Sequence, residues 1–340
     1  MPMATVKDIA ERAGLGMATV SKYLNGGRVR EQNRAAIEKA IRELGYQGGP
    51  RVRLPKPSCS STVGVVIPEL NNLYATTIVQ TLEDELHKAD YNVLVCDCRS
   101  SREREAELVR FLLGKTVDGL VCLPTDMEGA SLAPVLEKGL PVLLLDRMVP
   151  DLQGRASGIL VDNLRAVQQA TAHLLDQGHR RIGLLLGIPR IHTTEQQLLG
   201  YQLALRQRLL DIDEDLVRFT DCTVRGGYEA AQELLRIPDV TALVASSDCL
   251  TLGALHAVGD RGLRLPDQLS FVGFDQTPLF QACLPKLTLV EQPLQRIGQL
   301  AAQSLLAQMS VRPERRTYSV EVLSTRLVLG ETVAAPAVRP

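Results

Sequence analysis

The chain has 340 residues, of which 45% are apolar and only 4% aromatic, with no tryptophan. This length suits a small module joined to a large or two-lobed domain. No run of 18 apolar residues and no apolar N-terminal stretch occurs, which predicts neither a membrane span nor a secretion signal. The seven cysteines therefore indicate reduced thiols in a cytoplasmic protein without a membrane partner.

Two short helices around a tight turn are predicted for residues 5–25, TVKDIAERAGLGMATVSKYLN. The first helix has its apolar residues on one face, at Val6, Ile9, Ala10 and Ala13. Gly14 can leave this helix through a positive φ. The second helix, from about 17 to 25, packs back through Val20 and Leu24. Its other face is small, polar and basic, which suits the major groove of DNA. A plain helical hairpin on a protein surface is the alternative.

Charge is distributed unevenly along the chain, although the net charge is only −1. Residues 1–57 hold 11 Lys and Arg against 5 Asp and Glu, a net charge of +6. The remaining residues hold 27 against 34, a net charge of −7. A small basic module attached to an acidic body is typical of a nucleic-acid-binding protein.

A third helix from about 31 to 44 completes an all-α head that we assign to residues 1–47. Residues 48–61 form a linker rich in Gly, Pro and Ser, whose basic residues suit a position beside phosphate. Residues 333–340 are a tail.

Residues 62–332 alternate short apolar runs with helical patterns, which predicts doubly wound parallel sheets. The predicted strands are 63–68, 93–97, 119–124, 142–146, 159–162, 182–187, 242–248 and 270–275. The predicted helices are 74–89, 102–113, 130–138, 164–177, 194–209, 226–236 and 250–261. This alternation of strands and helices occurs twice, so we expect two lobes. The first comprises about 62–161 and 293–322, and the second comprises about 162–291 and 323–332. Ligands of such sheets bind beyond the carboxyl ends of the strands.

Sequence signatures of enzymes are missing from the chain. It contains no H-E-x-x-H, no G-x-S-x-G, no P-loop, and no G-x-G-x-x-G after a strand. Cys96 and Cys98 form an isolated C-x-C pair, a weak indication of metal binding that is more simply structural. We therefore predict no catalytic residue, no metal and no cofactor, while spacing alone leaves carboxylates in a cleft open.

Motifs along residues 4–332 resemble those of the LacI/GalR family of bacterial transcription regulators. They occur in the family's order: VKDIAERAG, ATVSKYLNG, IRELGY, IPELNN, VDGLVCLP, LPVLLLDR, GHRRIGLL, GGYEAAQELL, LVASSD, VGFD and LTLVEQP. The resemblance implies a homodimer with helix-turn-helix heads on a core similar to periplasmic sugar-binding proteins. It further implies a palindromic double-stranded operator and a small-molecule effector in the cleft.

The resemblance and the basic linker together assign DNA contacts to eleven residues. These are Thr5, Met17, Ala18, Thr19, Ser21, Lys22, Asn25, Asn33, Arg51, Arg53 and Leu54. Met17, Ala18 and Lys22 would face base edges. Leu54 would be a minor-groove wedge or a plain linker leucine, since Pro55 stops any helix there almost at once. Gly16 stands where the family has Ser or Thr, so a helix cap and a phosphate contact would be lost.

The effector is expected to contact twelve residues of the core. These are Asn71, Asn72, Tyr74, Asp146, Arg147, Arg190, Thr193, Glu195, Cys222, Ser247, Asp275 and Gln292. Carboxylates and amides suit a polyol, although local capping is the alternative role for each. Glu195 stands where many sugar-binding relatives have arginine, and Cys222 where some have an aromatic ring. Arg147 or Arg190 could restore positive charge for a sugar acid.

We therefore expect an effector-responsive DNA-binding regulator, more specifically a repressor of genes for sugar or sugar-acid metabolism. An activator of the same fold is one alternative. A solute-binding or carbohydrate-processing protein is the other, and an export signal or a catalytic dyad would favour it.

Overall fold

A computed structural model describes residues 6–24, 29–44, 60–275 and 278–336. The chain divides into two compact units, Met1–Ser60 and Ser61–Pro340.

Within its described residues, the first unit is the predicted bundle of three helices, α1 (Val6–Ala13), α2 (Met17–Leu24) and α3 (Glu31–Glu43). Gly14 ends α1 at a φ of 65°, which a residue without Cβ adopts at low cost. The small core consists of Ile9, Ala10, Val20, Ile37 and Ala40. The apolar pattern of the sequence therefore identified the buried side of the helices correctly.

Polar side chains also join the helices of this head. Arg12 on α1 pairs with Glu43 on α3 at 2.7 Å. The Tyr23 hydroxyl on α2 donates to Glu38 on α3 at 2.7 Å, and Arg34 donates to the same carboxylate at 2.9 Å. Exposed ion pairs contribute little stability, so the three helices are held together mainly by their apolar core.

The second unit contains two lobes, each built on a sheet covered by helices. The N-terminal lobe has the strands β1 (Thr62–Ile67), β2 (Asn92–Asp97), β3 (Gly119–Cys122), β4 (Val142–Leu145), β5 (Ser157–Val161) and β11 (Val320–Leu323). Its strand order is β11-β5-β4-β3-β1-β2, with parallel pairing throughout. Its helices are α4 (Leu73–Lys88), α5 (Arg102–Gly114), α6 (Ala133–Glu137) and α12 (Leu294–Met309).

The C-terminal lobe repeats this topology. Its strands are β6 (Ile182–Leu186), β7 (Val217–Phe219), β8 (Ala242–Ala245), β9 (Ser270–Phe274), β10 (Thr288–Glu291) and β12 (Arg326–Val328). Their order is β12-β10-β9-β8-β6-β7, and only the β10–β12 pairing within this sheet is antiparallel. Its helices are α7 (Asn163–Asp176), α8 (His192–Gln207), α9 (Val224–Leu234), α10 (Asp248–Asp260) and α11 (Pro278–Gln281).

The chain passes between the lobes at 161–163, 291–294 and 323–326. Strands β3, β4, β8 and β9 are buried along their whole length, because helices cover both faces of each sheet. The predicted fold class, an all-α head with a core of two parallel-sheet lobes, is confirmed. In the described part of the chain, no helix is both long and apolar enough to cross a membrane.

Neighbouring helices approach closely at glycines. A Cβ on Gly200 of α8 would overlap the Leu164 carbonyl of α7, and one on Gly253 of α10 would overlap the Val224 carbonyl of α9. The absence of a side chain at these positions therefore sets the spacing of the helix pairs on the C-terminal lobe.

Candidate functional site

A cavity of about 550 Å³ lies between the two lobes, and its walls come from the segments that follow the strands. Asn72 and Tyr74 follow β1, and Asp146 follows β4. Ser247 follows β8 and Asp275 follows β9. The cavity thus occupies the carboxyl ends of the parallel strands in both lobes, where ligands of such sheets bind.

On the N-terminal lobe, Asn72 and Tyr74 begin α4 beside the cavity. The Asn72 side chain caps this helix by accepting from the Ala75 backbone N–H at 2.9 Å. Tyr74 is only 9% exposed, and its hydroxyl has no hydrogen-bond partner among the described residues. Burial raises the pKa of Tyr74 well above its usual value, and the nearby Asp146 and Asp275 carboxylates raise it further. The phenol is therefore neutral and available to a ligand.

Asp146 and Arg147 form an ion pair directly after β4. Asp146 adopts a φ of 68°, and its Oδ2 accepts from Arg147 Nε at 3.1 Å and Nη2 at 2.9 Å. Burial alone would lower the pKa of the Arg147 guanidinium, but the Asp146 carboxylate outweighs this effect and the pKa is raised. The Thr193 hydroxyl, on the C-terminal lobe, donates to the Asp146 carbonyl at 3.4 Å. This contact links the two walls of the cavity.

On the C-terminal lobe, Asp275 is 2% exposed and accepts from Gln292 Nε2 at 2.8 Å. The other amide atom, Gln292 Oε1, is buried without a partner among the described residues. Burial raises the pKa of Asp275 well above its usual value, and Asp248 and Asp146 add to the rise while the Gln292 hydrogen bond opposes it.

Ser247 and Cys222 complete this side of the cavity. Ser247 caps α10 by accepting from the Leu250 backbone N–H at 3.3 Å. The Cys222 thiol is 3.6 Å from the Ser247 hydroxyl, and the Cys222 backbone has a φ of 64°. Arg190, at a φ of 64°, also lines the cavity.

Asn71 and Glu195 do not line the cavity, unlike the other ten predicted effector contacts. Asn71 is exposed and precedes the capping residue Asn72. Glu195 is exposed on α8, whereas Thr194 and Gln197 of the same helix are buried against the cavity. Because successive helical residues are rotated by about 100°, Glu195 lies on the solvent side.

Buried polar residues that were not among the predicted effector contacts also line the wall. Gln197 donates from Nε2 to Asn163 Oδ1 at 3.2 Å and to the Ser246 carbonyl at 3.0 Å. Asp248, 6% exposed, follows Ser247 and accepts from the Cys249 N–H at 2.7 Å. The sequence did contain one indication for Gln197: it lies four residues after Thr193 on α8, and residues with this spacing share one face of a helix.

A fully buried carboxylate fixes one wall loop from behind. Glu105 of α5 accepts from the Thr125 N–H at 2.5 Å, from the Asp126 N–H at 3.3 Å and from the Ser131 hydroxyl. Thr125 and Glu128 of this loop line the cavity. The loop is thus held in place before any ligand binds.

In the head, the free face of α2 is exposed as predicted. Met17 is 58% exposed, and Ala18, Ser21 and Lys22 are also exposed, whereas Thr19 is partly buried beside the core residue Val20. Asn33 is partly buried on α3. The remaining predicted DNA contacts lie outside the described residues; they are Thr5, Asn25, Arg51, Arg53 and Leu54. Gly16 precedes α2, and its carbonyl accepts from the Thr19 N–H at 2.9 Å.

Family models match both parts of the chain. Residues 5–48 match "Bacterial regulatory proteins, lacI family", and residues 171–333 match "Periplasmic binding protein-like domain". The fold and these matches define a DNA-binding transcriptional regulator with an effector-binding domain.

Individual relatives extend the match over nearly the whole chain. The HTH-type transcriptional repressor CytR of Escherichia coli (strain K12) is 33% identical over 308 residues, 90% of each chain. The catabolite control protein A of Priestia megaterium is 29% identical over 311 residues, which are 90% of this chain and 92% of that one. The chain belongs to the LacI/GalR family of bacterial transcription regulators. The family prediction is confirmed, as is the prediction that the protein is not an enzyme.

Solved structures with bound sugars have the same fold. The transcriptional regulator CelR–cellobiose complex is 31% identical, with a TM-score of 0.72, covering 97% of this chain and 99% of that chain. A LacI family regulator from Enterococcus faecium with bound ribose is 26% identical, with a TM-score of 0.72, covering 81% and 99%.

Proposed function

We propose that the protein is a transcriptional repressor that binds a palindromic operator as a homodimer in the cytoplasm and responds to a polyhydroxylated small molecule. The repressor CytR, a relative over 90% of the chain, supports the direction of regulation. An activator of the same fold remains the alternative.

The exposed face of α2 would read the operator. Lys22 is a donor for guanine O6 or N7, but it lacks the fixed bidentate geometry of arginine. Met17 and Ala18 would contact base edges, while Thr19 and Ser21 would contact phosphates or position the helix. The roles of Thr5, Asn25, Asn33, Arg51, Arg53 and Leu54 in DNA binding stay predictions.

The cavity between the lobes would hold the effector, and its lining carries this proposal. Asp146 from one lobe and Asp275 with Gln292 from the other bring charged and amide oxygens to one space of about 550 Å³. Several hydroxyl groups on one small molecule match such a set of acceptors and donors. The cellobiose and ribose complexes of related regulators are consistent with this chemistry.

Effector binding would act on DNA through the lobes. A molecule that contacts both walls favours a closed arrangement of the lobes, which would alter the dimer and the presentation of its two heads. A typical coupling of roughly 1–3 kcal/mol changes operator affinity by about 5–150-fold.

The test uses the full-length protein. Fluorescence anisotropy with DNA from upstream of its own gene and of neighbouring genes should reveal one fragment bound more tightly than scrambled duplex. A thermal-shift panel of sugars should identify a stabilising molecule, since a ligand of the folded state raises the melting temperature. That molecule should then change operator affinity. Equal binding to all duplexes would refute the regulator's specificity, and the lack of any effect of a stabilising sugar would refute the coupling.

A matched pair of variants localises the response. Asp275→Asn should reduce the thermal shift, whereas Glu195→Gln should keep it in full because Glu195 is exposed outside the cavity. A promoter–reporter fusion separates repression from activation, because deleting a repressor raises expression and deleting an activator lowers it.

A further inference from the structure

The described wall of the cavity holds more acidic than basic side chains. The acidic residues are Glu69, Glu128, Asp146, Asp221, Asp248 and Asp275, and the basic ones are Arg102, Arg147 and Arg190. Arg147 is already paired with Asp146, and Arg102 with Asp126 and Glu128. The protein's own positive charge therefore leaves part of the acidic wall uncompensated.

Asp248 and Asp275 are the most deeply buried of these uncompensated carboxyl groups. They are 6% and 2% exposed, and their hydrogen bonds come from the Cys249 N–H and the Gln292 amide, which are neutral donors. Burying carboxylates without a positive partner is costly. A ligand that brings positive charge to this position would recover that cost on binding.

Two further polar atoms near this pair lack a hydrogen-bond partner among the described residues. The Tyr74 hydroxyl and Gln292 Oε1 are buried, line the same cavity and have no hydrogen bond among the described residues. Because Gln292 donates its amide N–H to Asp275, its oxygen is fixed as an acceptor. A donor group on the ligand is therefore needed beside Asp275.

We propose that the effector carries a protonated amine on its polyhydroxylated skeleton, as an amino sugar does, and that Asp248 and Asp275 bind the ammonium group. The inference rests on the proposed function, since it specifies the chemical class of the effector of that site. An ammonium group has three donors and no acceptor, which matches two carboxylates and the Gln292 oxygen. A sugar acid would instead place a like charge beside the pair.

The experiment measures the binding of matched sugars to the full-length protein by calorimetry and thermal shift at pH 7. For the glucose and galactose skeletons, the series consists of the neutral parent, the 2-amino sugar, its uncharged N-acetyl form and the uronic acid. We expect the amine of one skeleton to bind about tenfold or more tightly than its parent and N-acetyl form, because charge-assisted hydrogen bonds are the stronger ones. The uronic acid should bind most weakly.

Variants connect the preference to the two aspartates. Asp248→Asn and Asp275→Asn, made separately, should each reduce the preference for amine over parent while the parent still binds. Glu195→Gln, a loss of one carboxylate outside the cavity, should leave the preference unchanged. Circular dichroism and operator binding verify the fold, and if one variant unfolds, the other decides the assignment.

The outcomes separate this inference from the proposed function. Parents or uronic acids that bind as tightly as the amines would overturn the inference and leave a polyhydroxylated effector standing. An amine preference that persists in both asparagine variants would overturn the role of the pair. If no member of either series binds, both the inference and the proposed effector class are rejected.

Discussion

Replacing Asp275 with Asn should stabilise the free protein at neutral pH. The folded state raises the pKa of Asp275 through burial and through the nearby Asp248 and Asp146 carboxylates. The unfolded chain ionises this group at about pH 3.9, so above that pH the folded state binds more protons. Stability then falls as the pH rises toward the folded pKa. Asparagine does not titrate, and its Oδ1 can still accept from Gln292.

The stability difference has a predicted pH dependence. Variant and wild type should be closest near pH 4, and the advantage of the variant should grow up to the folded pKa of Asp275. Urea unfolding of both proteins between pH 4 and pH 8 measures this difference in unfolding free energy. A variant that is no more stable than wild type at pH 8 would show that the carboxylate is compensated within the free protein, contrary to the reasoning.

The same substitution should weaken effector binding. Loss of a hydrogen bond to a charged group costs about 1.5–3 kcal/mol, which corresponds to roughly 10–150-fold in Kd. Titration of the stabilising molecule into both proteins gives this ratio, with Glu195→Gln as the unaffected control. If the Asp275→Asn variant is more stable than the wild type but binds the effector more weakly, then Asp275 serves binding and lowers the stability of the fold.

Further substitutions test the head and the helix packing. Lys22→Ala should cost about 1–3 kcal/mol of operator affinity and relax preference at one base step per half-site; an equal loss on random duplex in anisotropy would contradict a base contact. Gly16→Ser should slow amide hydrogen exchange in α2, because a serine cap stabilises a helix by a few tenths of a kcal/mol relative to glycine. A Cβ at this position meets nothing within 4 Å, so the serine fits. Unchanged exchange rates would refute the cap. Gly253→Ala should lower the unfolding free energy by about 1–3 kcal/mol through overlap with α9. Gly259→Ala, whose Cβ meets nothing within 4 Å, is its control in the same helix, and an equal loss in both would exclude the overlap.

The central strands could be predicted from the sequence because both faces of each sheet are covered. VLLL in β4 and IGLLL in β6 are therefore continuous apolar runs. The edge strands β11 and β7 were not predicted as elements, since they are short and carry no such run; β11 is mostly exposed and β7 is only partly buried. Their positions depend on pairing with distant strands, which a local pattern does not encode.

Site residues on strand ends were easier to predict than those on helices. A polar residue after a buried strand can only lie at the carboxyl edge of the sheet, as Asp146 and Asp275 do. On α8, several polar residues follow one another, and only the packing of the helix shows that Gln197 rather than Glu195 lies on the cavity side.

Asp146 and Asp275 show why the strand-end pattern indicated the cavity. They follow β4 and β9, which occupy equivalent places in the two sheet orders. Both have a left-handed backbone, with φ of 68° and 66°, a conformation that aspartate tolerates better than most side chains. Each turn ends a fully buried strand and places a carboxylate at the cavity wall. Under the proposed function, a ligand between the lobes would contact these equivalent aspartates on both sides and would therefore favour a closed arrangement of the lobes.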